Sequence, residues 1–289
     1  MPSLKDIRKR IVSVRNTQQI TKAMKMVDAA KLRRAQDAMQ QARPYANMIE
    51  QALSGVAVRS DESAHPLLQR RTPRRVELVV MTSDRGLCGG FNSNIFRQAQ
   101  RFLYENRDTY ERIQVSTIGR KGREFFRKRA VPTRKDYPGV FEALTFDKAK
   151  TIADELAAAY LGDELDAVFL LYNQFVSAIS QKPSVVQLLP INANSNSEDA
   201  QSQLVDFLYE PSREVVLNHL LPKHLATQVW RALLESKASE HGARMAAMEA
   251  ATKNSSELIG KLRLEYNRAR QASITKELME IVSGAEALK

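Results

Sequence analysis

The first fifty residues repeat apolar positions at the spacing of a coiled-coil helix. Leu4, Ile7, Ile11 and Val14 follow one another at steps of three and four, the seam spacing of two helices wound together. We therefore predict one long helix over residues 4–57. Its seam continues less regularly through Ile20, Met24, Val27, Ala38, Ile49 and Leu53. Pro44 should bend or end this helix because proline lacks an amide proton.

A second seam of the same kind lies near the end of the chain, within a helix predicted from about residue 211 to residue 286. This seam consists of Met245, Met248, Thr252, Ser255, Ile259, Leu262, Tyr266 and Ala269. A further apolar row begins at Ile274 and continues through Leu278, Ile281, Ala285 and Leu288. The step from Ala269 to Ile274 is five residues rather than four, so the apolar stripe rotates around the helix there.

Short β-rich runs separate the two helical regions. Strands are predicted at residues 76–81, 113–118, 167–172 and 185–189, with a helix over residues 148–161 between the second and third. The third run is apolar without alternation, as in a strand covered on both faces. Strands that alternate with helices indicate an α/β domain with a mostly parallel sheet.

These patterns predict an α+β chain, in which a long antiparallel coiled coil of the N- and C-terminal helices carries an inserted α/β, Rossmann-like domain. The expected divisions are residues 1–58 for the first helix, 59–75 for a polar linker, 76–208 for the α/β domain and 209–289 for the last helix. If residue 57 lies beside residue 211, residue 4 lies beside about residue 264. The last twenty or so residues would then have no helix partner. An isolated helix of that length is marginal in water, which implies a surrounding partner.

The charge and the cysteine content limit the classes of protein to which this chain can belong. The 289 residues include 44 Lys and Arg against 33 Asp and Glu, which gives a net charge of +11. A single Cys excludes an internal disulfide and a cysteine-based zinc site. The longest apolar runs, residues 156–161 and 167–172, are far shorter than the about 20 residues of a spanning helix. We therefore expect no direct membrane insertion and only peripheral association with a membrane.

The string DRGLCGG at residues 84–90 is the one local pattern that suggests ligand chemistry. It follows a strand and opens a helix, where phosphate-binding loops lie, but it matches neither G-x-G-x-x-G nor G-x-x-x-x-G-K-[ST]. Gly86, Gly89 and Gly90 around Cys88 therefore indicate a structural turn that needs positive φ. The four His residues lack metal-ligand spacing, and we find no catalytic constellation and expect no cofactor.

Three strings together resemble one known family, the gamma subunits of F-type ATP synthases. LKDIRKRI at residues 4–11 and NTQQITKAMKMV at residues 16–27 resemble that family's N-terminal helix. Residues 84–90 resemble its central loop, and YNRARQASITKEL at residues 266–278 resembles its C-terminal helix. The matches run over the whole chain in the family's order, so the chain is identified by resemblance as a member.

The resemblance implies a central rotor shaft that does no chemistry. Its helices would turn inside a ring of three alpha and three beta subunits, whose beta subunits carry out catalysis. It would couple proton-driven rotation of a membrane c-ring to those sites, with the epsilon subunit near the α/β domain. Residues that would contact the ring are Met24, Lys25, Arg244, Arg270, Gln271, Ile274, Thr275, Glu277, Leu278 and Ile281. Tyr209 would lie at the foot, near the epsilon subunit and the c-ring.

Two departures from relatives refine this expectation. Chloroplast members carry a regulatory Cys pair in the middle domain, whereas Cys88 is the single Cys here, so thiol regulation of that kind is not expected. The helix begins at once after Met1, without a transit peptide, which favours a bacterial protein on the cytoplasmic face of the inner membrane.

Two other classes remain open on the residues alone. A basic coiled-coil arm that binds nucleic acid is compatible with the net charge, although the basic helix lacks stacking aromatics. A nucleotide-binding enzyme built on the α/β domain is the other. The rotor interpretation requires neither nucleic acid nor a cofactor.

Overall fold

A computed structural model describes residues 3–57, 65–192 and 212–286 of the chain. Two long helices stand at its ends: α1, Leu4–Ala57, and α5, Arg213–Glu286. Both were predicted with nearly these bounds. The start of α1 is capped by Ser3, whose Oγ accepts a hydrogen bond from the Asp6 amide at 3.2 Å.

Both long helices contain an internal proline. Pro44 lies inside α1 and Pro222 lies inside α5. The expectation that Pro44 could end the first helix is wrong, because α1 continues to Ala57. The residues that follow Pro44 explain this outcome. Ile49 and Leu53 are buried, and their packing offsets the backbone hydrogen bond that the proline cannot make.

Five strands form one sheet: β1, Arg75–Met81; β2, Arg112–Ile118; β3, Thr133–Tyr137; β4, Ala167–Phe175; and β5, Gln181–Leu189. Their spatial order is β3-β2-β1-β4-β5. The first four strands run parallel, and β5 pairs antiparallel with β4. The predicted mostly parallel sheet is confirmed, while β3, whose sequence is TRKDY, was missed.

Helices cover both faces of this sheet, as the apolar run of β4 predicted. They are α2, Phe91–Glu105; α3, Arg120–Lys128; and α4, Phe146–Leu161. Leu78 and Val80 of β1 pack in one core with residues of α2 and α3. Val79 and Met81 of the same strand pack in the opposite core with α4. Alternate residues of one strand thus serve two layers.

The chain divides into two compact units. The first comprises α1 up to Asp28 together with α5 from Arg244 onward, and the second comprises residues 29–243. Among the described residues of the first unit, the buried apolar side chains of two antiparallel helix segments are those of Ile7, Met248, Ile259 and Leu262.

The second unit packs its helix segments into the core of the sheet domain. Leu53 of α1 belongs to the same buried cluster as α4, the sheet and one face of α5. Polar contacts add to this attachment: Ser239 Oγ of α5 donates to the Asn173 carbonyl of β4 at 3.0 Å. Gly242 also lies so close to residue 178 that a Cβ atom there would stand 2.8 Å from the Ala178 carbonyl oxygen.

Candidate partner-contact surfaces

Polar side chains bridge the two helices of the first unit in successive layers. Gln18 Nε2 donates to Ser256 Oγ at 2.5 Å, and the hydroxyls of Thr21 and Thr252 lie 2.8 Å apart. One turn further, Lys25 Nζ donates to Glu249 Oε1 at 2.6 Å. Each layer therefore joins one residue of α1 to one of α5 across the seam.

The predicted seam of α1 is corrected at this point. Ile20 and Val27 were placed on the seam but are 60% and 53% exposed. The 3-4 spacing that begins at Ile7 continues instead through Gln18, Thr21, Lys25 and Asp28. That unbroken spacing was the available signal, and it was missed because the residues are polar.

The same contacts set the register of the two helices. Gln18 bonds to Ser256, which brings residue 4 level with about residue 270 instead of 264. The predicted register was therefore about six residues short. Its starting assumption paired residues 57 and 211, and residue 211 lies outside the described part of the chain.

Arg244 is buried beside Asp28. Asp28 was not among the predicted contact residues. Their nearest atoms, Arg244 Nη1 and Asp28 Oδ1, lie 3.4 Å apart, and each side chain is 7% exposed. A charge pair withdrawn from water in this way depends on both partners. Met24 and Lys25, which were grouped with Arg244, are half-buried.

The last part of α5 presents its apolar row to solvent. Ile274, Leu278 and Ile281 are 49%, 57% and 68% exposed. Arg270, Gln271 and Thr275 are exposed as well. Glu277 Oε1 accepts a hydrogen bond from Ser273 Oγ at 3.1 Å within the helix. The helical tip is thus an apolar and charged surface that no described part of the chain covers.

The DRGLCGG loop is held together by its own side chains. Ser83 Oγ donates to the Arg85 carbonyl at 2.6 Å, and Asn92 Nδ2 donates to Ser83 Oγ at 2.7 Å. Asn92 Nδ2 also lies 3.3 Å from Cys88 Sγ. Cys88 is buried in a cluster with Phe91 and Ala243 of α5. The loop therefore packs on α5 with the sulfur atom inside.

Positive φ occurs at only one of the three glycines expected to need it. Gly89 has φ of +56°, whereas Gly90 has φ of −79° and serves as the N-cap of α2. Leu87 adopts φ of +63°, which sequence reasoning did not foresee. Gly86 has open space around its Cα. The positive φ of this turn is thus divided between Gly89 and Leu87.

The remaining expectations concern the foot of the chain, metal binding and membrane insertion. Tyr209, the expected foot residue, lies outside the described residues. Among the residues that are described, no cluster of His, Cys, Asp or Glu has the arrangement of a metal site. No helix in the described ranges combines the length and the apolar content needed to cross a bilayer.

The fold described so far consists of a long antiparallel helix pair in one unit and a Rossmann-like α/β domain in the other. A family model described as ATP synthase matches residues 3–288. The chain therefore belongs to this family, as its three sequence strings predicted.

Relatives align with the chain from end to end. An ATP synthase gamma chain of an Anaeromyxobacter species is 64% identical, with all of both chains covered. The ATP synthase gamma chain of Geobacter metallireducens is 53% identical, again over all of both chains. These relatives are bacterial, and gamma chains are subunits of the ATP synthase complex.

Solved structures share the fold. A chain from the central stalk and c-ring structure of Tetrahymena thermophila mitochondrial ATP synthase is 29% identical, with a TM-score of 0.61. That match covers 80% of this chain and 99% of the other. A chain from Euglena gracilis mitochondrial ATP synthase, at 21% identity, has a TM-score of 0.71 over 99% of this chain and 94% of its own. The predicted combination of coiled coil and α/β domain is confirmed.

Proposed function

We propose that this chain is the rotating central-stalk subunit of a bacterial F-type ATP synthase. It transmits rotation of a membrane c-ring to catalytic sites on the beta subunits, and in reverse it drives proton pumping by ATP hydrolysis. The observation that carries the proposal is the exposed tip of α5, on a chain that aligns over its full length with gamma chains. An apolar helix end of this kind needs a partner surface that surrounds it, and the inside of an alpha–beta ring would supply that surface.

The chain itself is proposed to be non-catalytic. In the turn after β1, the side chains of Ser83, Cys88 and Asn92 bond to one another, and the Ser83 amide already donates to Asn92 Oδ1 at 3.0 Å. No Lys follows Gly90 to meet a phosphate. We expect the purified chain to show no ATP hydrolysis, and equilibrium dialysis to show no micromolar binding of ATP. Tight binding lost on substitution of Gly89 would contradict this.

The proposed partners are three alpha and three beta subunits around the helix pair, the epsilon subunit and the c-ring at the foot. The chain would then be a peripheral protein on the cytoplasmic face of the inner membrane. Its basic charge suits acidic partner loops, which favour orientation and association rate more than affinity. A nucleic-acid role has no comparable support, and binding to RNA in a salt-dependent gel shift would argue for it.

Met24 offers a test of coupling. Met24 is half-buried beside the Lys25–Glu249 pair, so Met24→Lys places another cation at the surface proposed to meet the ring. A new ion pair formed in some rotor positions only would change the barriers between them. We expect fewer protons pumped per ATP hydrolysed in inverted membrane vesicles, with assembly retained.

Met26→Lys is the matched control for that test. Met26 is 59% exposed two residues away on the same helix, and the same charge is added there on a different face. Unchanged coupling in Met24→Lys, or equal loss in both variants, would contradict the proposed contact at Met24.

Arg270 tests the proposed contact at the tip. Its guanidinium is exposed and has the planar geometry that suits a carboxylate or carbonyl of the ring. Arg270→Ala should slow ATP hydrolysis by the assembled complex more than it reduces assembly, with Arg268→Ala as an exposed control.

Removal of residues 278–289 tests the same surface. This truncation should weaken ATP hydrolysis and assembly without abolishing either, because the helix pair remains. Full activity after Arg270→Ala or after the truncation would refute the proposed contact between the tip of α5 and the ring.

A further inference from the structure

A cavity of about 560 Å³ lies within the second unit, between α1, α4 and α5. Its volume is within the range of sites that bind small organic molecules. Nothing in the proposed rotor function uses this space. The side chains of its wall indicate which class of molecule would fit.

An apolar row on each long helix forms the main part of the wall. The residues of a row recur at steps of three and four, which is the spacing of one helix face. These rows are Met39, Ala42 and Ala46 on α1, and Thr227, Trp230 and Leu234 on α5. Phe146 of α4 stands nearly perpendicular to Trp230, with ring centroids 6.1 Å apart and an interplanar angle of 79°. A flat aromatic group packs well against such a pair of rings, stacked on one or edge to face with the other.

A polar row borders each apolar row. Its residues, each one position after a member of the apolar row, are Arg43 and Asn47 on α1 and Arg231 and Glu235 on α5. Neighbouring residues of a helix point in directions about 100° apart, so these groups lie at the edge of the apolar wall. A molecule that fills the cavity is therefore expected to have an apolar body and one polar end.

The charges of this border are mainly positive. Glu235 is the one carboxylate of the wall, and its Oε1 accepts a hydrogen bond from Arg231 Nε at 3.1 Å. Its Oε2 is buried and out of reach of a molecule in the cavity. Arg43 is exposed and has no ion-pair or hydrogen-bond partner in the described part of the chain. The wall thus carries one arginine whose charge is balanced and one whose charge is not.

We propose that this cavity binds an aromatic carboxylate of about the size of biphenyl. Its rings lie against Trp230 and Phe146, and its carboxylate accepts hydrogen bonds from the guanidinium of Arg43, whose planar shape matches a carboxylate. An ammonium group at the same end would instead meet an unbalanced cation. This inference is independent of the rotor function, because the wall includes none of the residues proposed to contact the ring.

Trp230 makes the binding directly measurable, because it is the one Trp in the 289 residues. The probe is 4′-bromobiphenyl-4-carboxylate, whose bromine quenches indole fluorescence on contact. Titration of the full-length chain should give saturable quenching. The carboxylate should bind about fivefold or more tightly than the matched alcohol and the matched amine, which keep the same rings. Equal affinity for the three compounds would overturn the assignment, as would tighter binding of the amine or quenching by the carboxylate that does not saturate.

Variants locate the binding. Arg43→Gln should weaken binding of the carboxylate about fivefold and leave binding of the alcohol unchanged. Arg34→Gln, at an exposed position of the same helix, should change neither. Ala46→Leu should abolish saturable quenching by filling the cavity, and circular dichroism verifies folding of each variant. If Ala46→Leu fails to fold, unaltered affinity for the carboxylate in Arg43→Gln is sufficient to refute the site.

Discussion

The seam of α1 from Gln18 to Asp28, in the first unit, is more polar than its seam in the second unit. In the first unit, the seam positions of α1 include Gln18, Thr21 and Asp28, each bonded to a polar residue of α5. In the second unit, they include Leu32 and Leu53, which are 6% and 2% exposed. A buried leucine contributes about 1.5–3 kcal/mol, whereas a neutral hydrogen bond contributes about 1 kcal/mol.

This difference separates stability from specificity. Apolar side chains tolerate a shifted neighbour, but a hydroxyl or carboxylate bonds only in the correct layer. The first unit therefore fixes which residue of α1 lies beside which residue of α5, at modest stability. The second unit supplies more burial. In the proposed rotor role, the fixed register would keep the two helices from sliding past each other, while the weakly stabilised seam would allow small adjustments.

The largest expected effect comes from breaking the buried pair of the first unit. Asp28→Ala leaves the buried Arg244 without this carboxylate and should destabilise the helix pair by about 3–5 kcal/mol. Hydrogen exchange of amides in residues 16–28 and 244–256 measures the loss. Asp37→Ala, at an exposed position of the same helix, should leave exchange unchanged. Recovery in the double variant Asp28→Leu, Arg244→Met would support the pair, and an undisturbed single variant would exclude it.

In the second unit, the comparable change is Leu32→Ala. Removing a buried leucine side chain should cost about 2–4 kcal/mol through lost burial and a residual cavity. Urea denaturation followed by circular dichroism gives the free energy of unfolding. Val27→Ala is the matched control, since Val27 is 53% exposed on the same helix. Equal costs at the two positions would mean that the seam has been assigned to the wrong face.

Acid should weaken the second unit through His224. Burial lowers the pKa of His224 to about 4, against the opposing influence of Glu50. The unfolded chain, with an ordinary pKa near 6.5, then binds more protons between these values. Stability should therefore fall by about 3 kcal/mol as the pH drops from about 7 to about 3.5, with little further loss from this group below that.

His224→Gln should flatten that part of the pH profile of the free energy of unfolding. The same substitution at His219, which is exposed on the same helix, should leave the profile as it is in the unmodified chain. A slope that persists in His224→Gln would assign the acid sensitivity to other groups.

The smallest expected effect lies at the threonine layer. Thr21→Val removes the hydroxyl 2.8 Å from that of Thr252, while Thr252 keeps its bond to the Met248 carbonyl at 2.7 Å. The free energy of unfolding should change by less than about 1 kcal/mol. A double-mutant cycle with Thr252→Val should return a small favourable coupling between the two hydroxyls. Zero coupling would remove this layer from the set that determines register.

The large elements were predictable because their signals are long. The seam spacing of α5 persists from Met245 to Ala269, so errors at single positions hardly matter. Strand β3 was missed since it is short, polar and at the edge of the sheet. Whether the helix would end at Pro44 could not be decided from the sequence, because the local penalty of a proline is visible there and the burial of Ile49 and Leu53 that offsets it is not.

Individual side-chain contacts could not be predicted, because they join residues that lie far apart in the sequence. Asp28 and Glu249 look like solvated charges until the register joins them to Arg244 and Lys25. The cavity beside Trp230 needs three helices to be placed together, which no periodicity provides. By contrast, the exposed row of Ile274, Leu278 and Ile281 followed from the rotation of the stripe and the expected lack of a helix partner.

That exposed row also bears on how the chain is produced in a cell. Before assembly, Ile274, Leu278, Ile281 and Val282 present adjoining apolar side chains at the end of α5. Newly made chains can adhere to one another through such a surface. The tip that we propose to enter the ring is thus a liability during biosynthesis, and matched synthesis of the proposed ring subunits should keep unassembled chains from precipitating.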